Sequence, residues 1–199
     1  MTTTEADDLR TMRVHDVAQV VDLQRAFLDG SIVTELGSDF LTAFHVAALA
    51  HPATRAFVAM DEGVVAGFAV VSTDVAAFNA HVKPRVLLPL VRALMSPRGA
   101  RLGVGIVRSL FEAEPEPHIP AELLLLVVDG RMRRRGIGQR LVASLEETFA
   151  REGISRYRVA VRSHLMVARA FYLALGFEPE QELIVLGHPM TYLTKRVGG

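Results

Sequence analysis

Twelve consecutive residues, Val127-Val128-Asp129-Gly130-Arg131-Met132-Arg133-Arg134-Arg135-Gly136-Ile137-Gly138, carry the parts of a phosphate-binding site. An unbroken apolar run, Leu123 to Val128, meets a short turn, an arginine cluster and the glycines Gly136 and Gly138. Gln139 to Glu147 then reads as a helix. The free N–H groups of a helix's first turn point outward, and the aligned peptide dipoles favour negative charge there. Glycine lets a phosphate approach the main chain with no Cβ in the way. Arginine supplies charge that persists at any pH near neutrality. Neither GxxxxGK[ST] nor GxGxxG is present, which excludes a Walker loop and a dinucleotide fingerprint.

The pattern that does stand here is Arg133-x-x-Gly136-x-Gly138 after a strand. It resembles the acyl-CoA loop of the GCN5-related N-acetyltransferase (GNAT) superfamily, written [Arg/Gln]-x-x-Gly-x-[Gly/Ala]. Downstream, Ala168-x-x-x-Tyr172-x-x-x-Gly176-Phe177 is similar to that family's later helix, which carries Ala and Tyr and ends at Gly-Phe. A helix and a strand separate the two motifs, in the family's order. The resemblance implies acetyl-CoA as co-substrate and a primary amine, on a small molecule or a peptide, as acceptor. It also implies that the pyrophosphate lies on the amides from about Arg134 to Gly138, across Gly136 and Ile137. Arg133, Arg134 and Arg135 would balance its charge, Val127 and Val128 would offer main-chain hydrogen bonds to the pantetheine arm, and Ala168 would line the cofactor.

Two side chains are the candidate catalytic groups. Strand alternation puts Glu122, Leu124, Leu126 and Val128 on one face. The spacing of Glu122 from Val128 is similar to that of the glutamate base in the histone-acetyltransferase branch. An ammonium cannot attack a thioester until it loses a proton, and a carboxylate among apolar neighbours is raised toward a useful basicity. The other reading of Glu122 is a strand-end carboxylate in solvent or paired with an arginine. Tyr172 occupies the family's tyrosine, which in relatives lies near the thioester sulfur and protonates the departing thiolate. Its other reading is a core aromatic. The resemblance departs at Leu165, where many relatives carry an asparagine that helps hold the cofactor arm, and His164 beside it could substitute as a polar group or base.

The rest of the composition narrows the chemistry. Cysteine is absent, so thiolate catalysis and disulfides are excluded, and direct attack in a ternary complex is expected, with a main-chain donor near Val128 stabilising the oxyanion. The seven histidines show no HxxxH or HxH spacing and no GxSxG occurs, so neither a metal site nor a hydrolase nucleophile is expected. Lys+Arg and Asp+Glu are equal at 22 each, which leaves no whole-molecule field for nucleic acid or an acidic membrane. No apolar run approaches a membrane span and the N-terminus is polar and acidic, so a cytoplasmic enzyme is the default. A homodimer stays open. The alternative function is a non-catalytic module of the same fold that binds or senses acyl-CoA.

The elements that must position these groups follow from periodicity. At 199 residues the chain fits one domain, with residues 1–9 as a frayed tail. Leu9 to Val14 reads as a first strand; Asp16 caps a helix with Gln19 in capping-box position, and Gly30 ends it. A second helix follows Ser38 and stops before Pro52. Arg55 to Met60 and Val64 to Ser72 form a hairpin around Asp61-Glu62-Gly63. Thr73 to Pro120, punctuated by Pro84, Pro89 and Pro97, reads as an insertion of two short helices within pieces such as Val86 to Met95 and Leu102 to Phe111. The acceptor pocket is expected between Asp29–Ser38, with Thr34 and Glu35 as polar candidates, and this insertion. Then come strand Ala121 to Asp129, helix Gly136 to Arg151, strand Arg156 to Arg162, helix Met166 to Leu175, and strands Glu182 to Leu186 and Met190 to Lys195. The resemblance implies an α/β (α+β) architecture: a mixed, mostly antiparallel twisted sheet of six to seven strands flanked by helices, with the helical insertion before the cofactor strand.

Overall fold

A two-residue turn seeds the sheet. Strands β2 (Thr54–Asp61) and β3 (Val64–Ser72) pair antiparallel around Glu62 and Gly63, whose φ values are 48° and 81°. A turn with both φ positive matches the right-handed twist of its strands. The computed structural model describes residues 8–28, 32–95, 119–185 and 188–198. Strand β1 (Asp8–Thr11) pairs with β2, and β4 (Glu122–Val128) pairs with β3, both antiparallel. β5 (Arg156–Arg162) lies parallel to β4. β7 (His188–Arg196) and β6 (Glu178–Val185) complete the order β1-β2-β3-β4-β5-β7-β6. Among the described strands only the β4–β5 pair is parallel, as the mixed, mostly antiparallel reading requires.

Helices cover both faces. On one lie α5 (Ile137–Arg151) and α6 (Met166–Ala174), which close the main core with Leu123, Tyr157, Val159 and Leu193. Helix α5 lies close on β3 because Gly67 has no side chain: a Cβ there would stand 3.0 Å from Ile137 Cγ2 and 3.1 Å from the Val127 carbonyl. On the other face lie α1 (Val17–Phe27), the single turn α2 (Ile32–Glu35), α3 (Ser38–Leu49) and α4 (Val75–Leu94).

Outside the candidate site, the structure departs from the sequence reading at the start of α1, in the insertion and at β6. Asp16 does not cap α1 through Gln19. Its carboxylate takes two 2.7 Å bonds from Arg10 and one from the Arg13 amide, while Val14–Asp16 form a 3₁₀ turn that shortens β1. Gln19 instead accepts from the Val65 amide at 2.8 Å and ties α1 to β3. The prolines do not break the insertion into short helices: α4 runs unbroken through Pro84 and Pro89. Each interior proline costs about 3 kcal/mol. The buried stripe Val75, Phe78, Val82, Val86 and Leu90 offsets that cost, and Asp74 caps the start by accepting from the Ala77 amide. The piece Leu102 to Phe111, Gly30 and most of the tail lie outside the described residues. Finally, β6 begins at Glu178 rather than Glu182, since β7 offers it a pairing edge from Thr194 onward.

Candidate active site

The site begins where two parallel strands separate. β4 pairs with β5 only at Glu122↔Arg158 and Leu123↔Val159, whereas β5 stays paired to β7 along its whole length. Beyond Leu123 the two strands diverge, and a wedge opens toward their C-terminal ends. A bulge shapes the β4 wall: Val70 opposes Leu125 and Val71 opposes Leu123, so Leu124 is the extra residue. The bulge also changes which side chains share a face. Leu123, Leu126 and Val128 pack toward α5, while Leu124, Leu125 and Val127 pack toward α1 and α3. Simple alternation does not hold across it, so Glu122 does not share a face with Leu126 and Val128.

At the mouth of the wedge stands the loop singled out by sequence. Arg134 and Gly136 are left-handed, with φ of 64° and 77°, and Gly136 is the N-cap residue of α5. Among the described residues no side chain caps this helix. Its first ladder bond runs from the Arg140 amide to the Gly136 carbonyl, so the amides of Ile137, Gly138 and Gln139 have no helical acceptor. Arg133, Arg134 and Arg135 are exposed and make no ion pair among the described residues. Arg131 differs from them. It is pinned to Asp129 by bonds of 2.7 and 3.1 Å, and the Asp129 carboxyl is held below the usual carboxylate range by that contact. An uncapped helix N-terminus beside three uncommitted guanidinium groups fits a pyrophosphate. Ile137 and Val127 are buried, so only their main-chain groups can face a ligand.

The two motifs, far apart in sequence, meet at Gly138. A Cβ on Gly138 would stand 3.1 Å from Phe171 Cζ and 3.7 Å from Val128 Cγ2. The end of β4, the first turn of α5 and helix α6 therefore converge on one glycine. Ala168 packs against the same core, and Tyr172 lies between Phe171 and Phe177, each ring centroid 5.2 Å away. Burial pushes the Tyr172 phenol well above its ordinary value, so it keeps its proton across the physiological range. Gly130 is equally constrained from the other side: a Cβ there would meet the Phe27 ring at 2.7 Å. Gly130→Ala should therefore cost about 1–3 kcal/mol of stability through overpacking. Urea unfolding measures it, and an unchanged midpoint would show that Phe27 moves aside freely.

Glu122 sits at the narrow end of the wedge. Arg158 Nε donates to Glu122 Oε2 at 2.7 Å and Nη2 lies 2.6 Å from the same oxygen as an ion pair, with side chains 12% and 13% exposed. The Arg158 guanidinium also stacks over the Tyr192 ring at 4.7 Å. The arginine-paired geometry, not the apolar surrounding, is the one found. Six strand steps put Glu122 about 20 Å from Val128. On the expected acceptor side, Thr34 is buried, with no partner for its Oγ1 among the described residues, and Glu35 is exposed; residues 29–31 and 96–118 lie outside the described residues. His164 and Leu165 are exposed in the turn before α6. Sequence reasoning passed over Arg158, although the alternation Arg156-Tyr157-Arg158-Val159-Ala160-Val161-Arg162 displays it.

Residues 19–177, which span the loop, the wedge and the Tyr172 helix, match the model of the acetyltransferase (GNAT) family. The chain belongs to this family. GNAT enzymes use acetyl-CoA. No curated protein matches the sequence. Among solved structures, one similar fold is that of an acetyltransferase at 21% identity and TM-score 0.63, covering 95% of this chain and 98% of that one. Another is the ribosomal-protein-S18-alanine N-acetyltransferase of Escherichia coli, at 12% identity and TM-score 0.60, covering 96% and 94%. A third is the PaiA N-acetyltransferase of Thermoplasma acidophilum in complex with coenzyme A, at 15% identity and TM-score 0.60, covering 95% and 98%. At such identities the likeness shows the GNAT fold alone. Among the described residues no helix is long and apolar enough to cross a membrane.

Proposed function

We propose that this GNAT chain transfers an acetyl group from acetyl-CoA to a primary amine by direct attack in a ternary complex. The observation that carries the donor assignment is the uncapped N-terminus of α5, flanked by Arg133, Arg134 and Arg135, at the mouth of the β4–β5 wedge. The amides of Gly136, Ile137 and Gly138 would take the pyrophosphate, and the main chain of Val127 and Val128 would take the arm beyond it. Ala168, on α6, offers a small apolar contact beside them. A main-chain donor near Val128 would stabilise the tetrahedral oxyanion.

With the phosphates at the mouth and Glu122 at the apex, the reacting carbon lies between them along the open edge of β4. The amine nitrogen adds to the acetyl carbon to give the tetrahedral oxyanion, which re-forms the carbonyl as the carbon–sulfur bond breaks and the thiolate leaves. Its proton passes to the Glu122 carboxylate through water, because Arg158 already binds that carboxylate. Tyr172 stabilises the leaving thiolate by donating a hydrogen bond. A phenol held above its ordinary value is a poor proton donor to a thiolate of pKa about 8.5, so the thiolate takes its proton from solvent.

The test is CoA release from acetyl-CoA with a panel of primary amines, for wild type and Tyr172→Phe. Wild type should turn over, and the variant should lose about 10²–10³-fold in kcat while still binding acetyl-CoA. Tight acetyl-CoA binding with no turnover for any amine would leave the binding-module reading standing instead.

A further inference from the structure

The sheet has a second chemical character on the side away from α5 and α6. Tyr157, Val159 and Val161 turn into the main core, which puts Arg156, Arg158, Ala160 and Arg162 on the opposite face of β5. Directly opposed residues of antiparallel strands share a face, so Thr194, Tyr192 and Met190 of β7 stand beside Arg158, Ala160 and Arg162. This row runs along the β5 wall of the wedge, from its apex at Arg158 to its mouth at Arg162. It therefore flanks the line on which the reacting carbon must lie.

The charges in the row are committed to different degrees. Arg156 is engaged, bonding Thr194 Oγ1 at 3.0 Å and Glu180 at 3.4 Å. Arg158 gives Nε and Nη2 to Glu122, while its Nη1 has no partner among the described residues. Arg162 is half-buried and its side chain makes no hydrogen bond or ion pair among the described residues. Ala160 between them leaves a gap in the side-chain layer, and Tyr192, opposite Ala160, supplies an aromatic edge to it. Two cations about 13 Å apart at the Cα level, with a small residue between them, are spaced for an acid group that reaches across the gap. A half-buried guanidinium with no acceptor is costly to maintain, and an anionic partner relieves that cost. The acids nearby do not cancel this field: Glu122 and Glu180 are taken up by Arg158 and Arg156, and Glu178 lies opposite Thr194 at the far end.

We infer that the acceptor amine carries a carboxylate, read by Arg162 and the outer edge of Arg158. The inference rests on the acetyl-transfer reading and deepens it by naming the substrate class. The ammonium then approaches the Glu122 end of the pair while the carboxylate is held along β5.

The experiment compares amines that differ only by a carboxylate: L-phenylalanine with phenethylamine, L-tyrosine with tyramine, and L-lysine with cadaverine. In wild type the acids should be acetylated with kcat/KM about 10- to 100-fold higher. Arg162→Gln should remove that preference through the KM of the acid, and Arg158→Lys should retain part of it. Affinity for acetyl-CoA, read by calorimetry, should not change in Arg162→Gln. A preference for the uncharged analogues, or one that survives Arg162→Gln, overturns the inference. Loss of acetyl-CoA affinity in Arg162→Gln also overturns it, by assigning the arginine to the donor. If no amine is acetylated, the transfer reading fails, and the inference is decided by binding alone. Succinate titrated into protein saturated with CoA should then bind wild type at least about tenfold more tightly than Arg162→Gln, and equal or undetectable binding to both sinks it.

Discussion

Gly138→Glu should reduce acetyl-CoA affinity by at least about 100-fold, the cost of losing charge-assisted hydrogen bonds and adding like-charge repulsion. Two independent effects act in the same direction. The carboxylate enters the first turn of α5, beside the amides of Ile137, Gly138 and Gln139 that have no helical acceptor, where it satisfies the dipole itself and repels phosphate. The side chain is also crowded, because a Cβ there already stands 3.1 Å from Phe171 Cζ. Gly138→Ala separates the two. It adds the contact without the charge and should weaken binding far less than glutamate does. Isothermal calorimetry with acetyl-CoA reads both variants. Equal affinity of wild type and Gly138→Glu would remove the α5 terminus from the donor site.

Stability should fall by about 3 kcal/mol between pH 6.5 and pH 4, and His45 should be the main source. Its ring is fully buried, and Nε2–H donates to Gln24 Oε1 at 2.7 Å, so the neutral tautomer carries its proton there. Nδ1 is buried with no partner among the described residues, and a second proton on it would find no acceptor among them. Burial accordingly lowers the His45 pKa from 6.5 to about 4. The unfolded chain binds that proton below 6.5 while the folded chain refuses it until about 4. The stabilisation is therefore complete above pH 6.5 and is lost as the pH falls toward 4. Asp16 and Asp129, held low by Arg10 and Arg131, act only in more acid solution. His81 is also lowered, so the clean measurement is a difference. Urea unfolding of wild type and His45→Gln at pH 7.5 and 4.5 gives it, and identical pH slopes would clear His45 of the effect.

The strand, the glycine turn into α5 and the helix that carries Tyr172 were legible in the sequence alone. The glycine spacing, the arginines and the Tyr172 helix are local signals, and local signals survive folding because each is set by backbone conformation over a few residues. The Gly63 turn and the strand Arg156–Arg162 come from the same kind of signal. What the sequence concealed was set by partners distant in the chain. Leu124 became a bulge only because β3 has one residue fewer on its side of the ladder, and that turned the expected face of Glu122 around. Pro84 and Pro89 read as breakers, yet the apolar stripe of α4 against α3 outweighed their local preference. Glu122 read as a base among leucines, while Arg158, paired to it across β4 and β5, decides its surroundings. The row on β5 was visible as alternation, but its meaning depends on knowing which face the core occupies.

The wedge has one more consequence. The sheet is in effect two blocks, β1 to β4 and β5 to β7, joined edge to edge by two residue pairs, Glu122↔Arg158 and Leu123↔Val159. The Glu122–Arg158 ion pair sits on that seam and the packing of Phe171 against the α5 terminus spans it from above. An extended arm lying between the walls would take the place of a missing length of strand. In that arrangement the donor substrate is also the keystone: its arrival would stiffen the seam, and its departure as free CoA would leave the blocks joined by the apex and by the packing above it.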